Sequence, residues 1–286
     1  MRNKTFAFLS LVLLIFVGTA CSEVSSDETL HGNPQKSDYQ LLNENIKALN
    51  LEPAGPHTRF WKGWKYIGGF GADSFMFFLT HNIKHSISAS IHVYRFIKTL
   101  EEITSDEAES TLNDRDTAMS AFADKDDKFI DIDNDAYIHN TVILDLYDEY
   151  GEDLFEMDLD ELYDAVTARV NEINGYNADD VIEDTSSLEE IDNATEAYID
   201  AETPAEYIAE LSAIYPDKAE QLSVLQSIFE GFLNADTDEA KTEYTSKIVD
   251  IIENSNISDE DKEDLKKSVC IANASARLWK NRNSNN

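Results

Sequence analysis

Two cysteines, five prolines and ten glycines in 286 residues leave this chain with few staples and few enforced breaks. Two thiols allow at most one disulfide, which excludes a small cross-linked secreted scaffold. Basic residues are scarce too: 23 Lys and Arg stand against 57 Asp and Glu, a formal net charge of −34. Such a field repels phosphate backbones and anionic surfaces, so nucleic acid is excluded as a partner. Apolar runs are short, none reaching the roughly 20 residues of a spanning helix. Alternating β-branched runs long enough for a sheet are missing, as is the G-x-S-x-G signature of serine hydrolases. What remains is an acidic chain rich in helical periodicity.

The first 20 residues have a different character. Arg2 and Lys4 precede an apolar stretch from Phe6 to Val17, and Gly18, Thr19 and Ala20 then lead into Cys21. That order is an export signal. The small residues directly before a cysteine resemble the lipobox of bacterial lipoproteins, with Gly18 standing where that motif usually has Leu. The resemblance implies cleavage before Cys21, acylation of its thiol and anchoring in the cell envelope, at the outer membrane, facing periplasm or cell surface. The alternative is an ordinary secretory signal cut after Ala20. With Cys21 acylated, Cys270 has no intramolecular partner.

Residues 21–37 are polar and aperiodic, the pattern of a tether. From 38 to 281 helix patterns follow one another. Leu41, Leu42, Ile46 and Leu49 mark the first, ended by Pro53 and Pro56. A helix over 134–150 stops at Gly151, and one over 158–173 stops near Gly175. The stretch 175–187 is the expected internal boundary. Downstream, Thr203, Pro204 and Glu206 read as a capping box. Pro216, Asp236 and Ser258 each open a further helix, and 282–286 form a polar tail. The expectation is an all-α fold, a multi-helix bundle or stacked helical hairpins, with roughly nine helices joined by short loops.

Three segments attract chemical readings. Residues 60–97 are dense in aromatics and hold His81, His85 and His92. On one continuous helix over 74–100 these fall within about 40° of one another, and an i, i+4 pair such as His81 and His85 suits zinc. Asn82, however, stands where a zinc protease carries its Glu base. The bland reading is the polar edge of an amphipathic helix, with Asp73 capping it. The glycines of GGFGADSF lack a preceding strand, so a tight turn or close helix approach is favoured over a phosphate loop. Secondly, Asp131, Asp133 and Asp135 have the first three ligand spacings of a calcium loop, but Ala136 and Val142 replace its Gly and Glu. An acidic loop capping the next helix explains them better. Thirdly, His139 with Asn140, and SVCIANASARLW at 268–279, resemble fragments of uncharacterised bacterial secreted helical proteins. That resemblance implies no activity. His139 and Cys270 are expected to be buried.

A catalytic set is not recognisable. The expected function is a lipid-anchored binding or interaction protein with a protein or glycan partner, contacted through Trp61, Trp64 and Tyr66. A metal-binding protein or metal-dependent hydrolase using His81 and His85 with zinc is the alternative, as is a calcium-stabilised envelope protein.

Overall fold

The computed structural model describes residues 36–50, 70–101, 133–175, 187–235 and 237–279. The fold is all-α: among these residues there are ten α-helices, two short 3-10 turns and no strand. The helices are α1 (Asp38–Leu49), α2 (Phe70–Thr80), α3 (Ile83–Glu101), α4 (Asp133–Tyr150), α5 (Leu159–Asn174) and α6 (Ser187–Asp200). They continue with α7 (Pro204–Ile214), α8 (Ala219–Leu233), α9 (Asp238–Glu253) and α10 (Asp259–Leu278). None is long and apolar enough to cross a membrane. The leader, Cys21, the aromatic trio Trp61, Trp64 and Tyr66, Asp131 and the stretch 176–186 lie outside the described residues.

Local chemistry sets most helix ends. Ser37 caps α1 in a reciprocal box with Gln40, satisfying two backbone donors that a bare helix start would leave open. Asp158 caps α5, and Gly175, at φ 70°, closes it in the left-handed conformation that glycine adopts without strain. Thr203 caps α7 with Pro204 in the first turn. The carboxylate of Glu206 reaches back to the N–H of Glu202 at 2.7 Å rather than to that of Thr203, so the expected box is shifted by one residue. Two starts differ from the sequence reading. Thr237, not Asp236, caps α9, and Pro216 opens a 3-10 turn before α8 begins.

Helix α10 runs through the middle. Every residue from Ser268 to Ala276 on it is buried. Its small side chains let α2, α4 and α9 pack against it from different sides. The largest apolar cluster joins Leu42 and Ile46 of α1, Phe75 and Phe78 of α2, Ile191 of α6, Leu225 and Phe229 of α8, and Leu265 and Val269 of α10. Residues on both sides of 175–187 therefore enter one core. A second cluster gathers α3, α4 and α5 around Tyr94, Phe155 and Trp279. A small third one places Cys270 beside Phe77, Ala136 and Val249.

The aromatic helix expected over 74–100 is two helices with a corner at His81 and Asn82. His81 has φ 53°, and its N–H closes onto the Phe77 carbonyl at 2.7 Å. Asn82 then accepts the Lys84 N–H at 3.0 Å on its side-chain oxygen, starting α3. A histidine thus ends one helix where glycine is usual, and an asparagine caps the next. The His81 ring adds a 2.9 Å pair to Asp264 of α10. Alanine at 81 would lose that pair and keep the left-handed backbone, which costs a residue with a Cβ about 1–2 kcal/mol. Glycine would lose the pair and relieve the backbone. His81→Gly is therefore expected to be more stable than His81→Ala by about 1 kcal/mol in urea unfolding. The reverse order would show that the corner carries no strain.

Candidate functional site

The densest polar chemistry among the described residues lies inside the fold, where α2, α4 and α10 meet. Asp73 sits one turn into α2, in an otherwise apolar stretch, and is fully buried. It does not cap the helix as expected, because α2 begins at Phe70. Opposite it on α4 stands His139, also fully buried, with Nε2 3.3 Å from Asp73 Oδ2. This is an ion-pair distance, without the alignment of a close hydrogen bond. The other carboxylate oxygen, Oδ1, accepts the Ser74 N–H at 2.6 Å. The Ser275 hydroxyl of α10 stands beside the carboxylate and favours its charged form.

The second ring nitrogen of His139 meets the next residue on α4. Nδ1 lies 3.0 Å from Asn140 Oδ1. The amide of Asn140 donates from Nδ2 to the Ala274 carbonyl, also at 3.0 Å. Its oxygen therefore faces the ring as an acceptor, an arrangement that suits the tautomer with N–H at Nδ1. Burial pushes the Asp73 carboxyl above its usual range, while His139, Ser275 and Ser74 pull it back down. Tyr198 of α6 and Tyr207 of α7 feel the same carboxylate, and burial raises both phenols. The two sequence fragments set apart earlier, His139 with Asn140 and the 268–279 segment, are thus brought into direct contact.

No known protein family, curated protein or solved structure matches this chain.

The other candidates are dispersed. His81 precedes α3 at the corner and pairs with Asp264. His85 is buried on α3, its ring 5.6 Å from that of Tyr163. The shared face expected of His81 and His85 required a continuous helix, and the break at 81–82 removes it. His92 is half-buried, and burial followed by the nearby Arg95 pushes its pKa down. Asp133 opens α4, so the spacing that suited a calcium loop is helical from there onward. Asp135 pairs with Lys267 of α10 at 3.4 Å. Among the described residues no three His, Cys, Asp or Glu side chains converge on one point that could hold a metal ion. Cys270 is fully buried among apolar neighbours, the setting of an inert thiol rather than a nucleophile.

Proposed function

We propose that this chain is a lipid-anchored interaction protein of the bacterial cell envelope, displayed on a polar tether through Cys21. The observation that carries the reading is the order of the N-terminal segments: export signal, small residues before Cys21, polar stretch, then a helical unit opening at the Ser37 cap. The buried centre supports a scaffold role. Asp73, His139 and Asn140 are spent on one another and on the α10 backbone, whereas a group that does chemistry must reach a substrate. Recognition would then fall to a protein or glycan partner, with Trp61, Trp64 and Tyr66 as the contact residues. The net charge of −34 favours a partner surface bearing basic groups.

The anchor is testable directly. Expressed with its leader in a Gram-negative host, the chain is expected to enter the detergent phase on Triton X-114 partition. Its N-terminal peptide should begin at residue 21 with diacylglycerol attached. Cys21→Ser should leave the chain water-soluble or unprocessed. A wild-type chain found wholly in the aqueous phase and cleaved after Ala20 would replace anchoring by plain secretion.

A further inference from the structure

Helix α5 ends on the only Asn-Gly pair in the chain. Asn174 is its last residue, and Gly175 closes it with φ 70°. We propose that Asn174–Gly175 is a self-modification site, where the asparagine converts through a cyclic imide into aspartate and isoaspartate and thereby loosens the end of α5.

The reaction needs only water. The backbone nitrogen of Gly175 attacks Cγ of Asn174 and closes a succinimide ring. The new N–Cγ bond replaces the Cγ–Nδ2 bond, and ammonia leaves with the proton of the Gly175 N–H. Water then opens the ring at either carbonyl. Opening at Cγ gives aspartate; opening at the main-chain carbonyl routes the chain through Cβ and Cγ and gives isoaspartate. Either way, one amide and one water become one acid and one ammonia.

The helix end favours ring closure on several counts. Glycine has no Cβ to crowd the attacking nitrogen. Asn174 and Gly175 are both exposed, and a Cβ placed on Gly175 would meet nothing within 4 Å, so water reaches the ring freely. The Gly175 N–H is shared between the carbonyls of Asn171 and Glu172, 3.2 Å from the latter. Ring closure also requires Asn174 to leave its helical conformation. Val170 is the last buried residue of α5, so opening the turn beyond it exposes no core. Helix ends of that kind open at little cost.

Other asparagines among the described residues lack this combination. Asn140 and Asn273 are buried within helices. Asn254 is the fair comparison, since it too is exposed at a helix end. Its Nδ2 donates to the Asp250 carbonyl at 2.7 Å, and the Ser255 that follows has a side chain, bonded to the Ile252 carbonyl at 2.6 Å.

The product places a carboxylate at the negative end of α5, close in sequence to Glu172. In isoaspartate the main chain also gains a carbon before Gly175, which moves its N–H away from the carbonyls that close the helix. The last turn then loosens, while Leu162, Val166 and Val170 stay in the core.

Incubating the folded full chain at body temperature in mildly alkaline buffer, followed by peptide mass spectrometry, tests the chemistry. The peptide holding Asn174 should gain the mass difference between an amide and an acid and split into two chromatographic isomers. It is expected to be mostly converted while the Asn254 peptide stays mostly intact. Asn174→Gln, whose ring would be larger, should abolish the gain at this site. Equal conversion of the two peptides, or conversion of Asn174 in urea but not in the folded chain, would overturn the proposal. Hydrogen exchange on Asn174→Asp reads the loosening. Faster exchange over residues 171–175 with residues 159–170 unchanged is expected, and an unchanged helix end would overturn that part.

Discussion

Asp73→Ala is expected to destabilise the protein by about 3–5 kcal/mol, the cost of breaking a buried ion pair from one side. The substitution leaves His139 enclosed with no carboxylate at Nε2 and strips the Ser74 N–H of its acceptor. Against a total stability of about 5–15 kcal/mol for a folded domain, this is a third or more. Urea unfolding followed by tryptophan fluorescence measures it as a lower midpoint at unchanged slope. Asp73→Asn preserves shape and one acceptor, so it should cost less than alanine. The informative experiment replaces both partners. Asp73→Leu with His139→Leu removes the charges together, and such replacements in other buried pairs are neutral or stabilising. A double variant as stable as wild type would show that the pair adds no net strength to the fold. A double variant as poor as Asp73→Ala would assign it to packing specificity alone.

How far this centre could be read beforehand depends on its parts. His139 lay on the same helical face as Val142, Ile143 and Leu146, and its burial followed from that periodicity. Its partner was not legible. An aspartate near the start of an apolar helix is usually a cap or a dipole partner, and only the packing of α2 across α4 turns Asp73 inward. Ser275 and Ala274 come from a segment more than 130 residues away, and no spacing rule reports that contact. Helix stops were legible where glycine made them: Gly151 and Gly175 both have positive φ, at 57° and 70°. The stop at His81 was not, because a left-handed histidine carries no sequence signature. The resulting error was chemical as well as structural, since one helix drawn through 74–100 created the two-histidine zinc face. On α1 the spacing of Leu41, Leu42, Ile46 and Leu49 gave a stripe, but only Leu42 and Ile46 are buried. Leu41 lies about 100° around the helix from Leu42, and Leu49 is the last residue of α1, beyond the covered turns.

Trp279→Ala should produce a loss of similar size at the other end of the core. Trp279 caps α10, is 2% exposed, and stacks on Tyr94 with ring centroids 4.1 Å apart and planes 23° from parallel. Its Nε1–H donates to the Ser90 hydroxyl at 3.1 Å. From Tyr94 the aromatic row continues to Phe155 at 4.8 Å and on to Tyr147. The ring therefore joins α10 to α3 and to the turn after α4. Truncation removes the indole, opens a cavity against Tyr94 and leaves Ser90 buried without that donor, a combined cost of about 3–5 kcal/mol. Trp279→Phe separates the contributions. It keeps most of the stack and loses the hydrogen bond, so about 1–2 kcal/mol is expected from the unsatisfied hydroxyl. Because Trp279 belongs to the α3–α5 cluster and not to the larger one, exchange should rise first in α3, α4 and α5. Faster exchange confined to α9 and α10 would mean the indole serves only its own helix. Equal losses in every helix would instead show that the two clusters unfold as a single cooperative unit, sealed by α10.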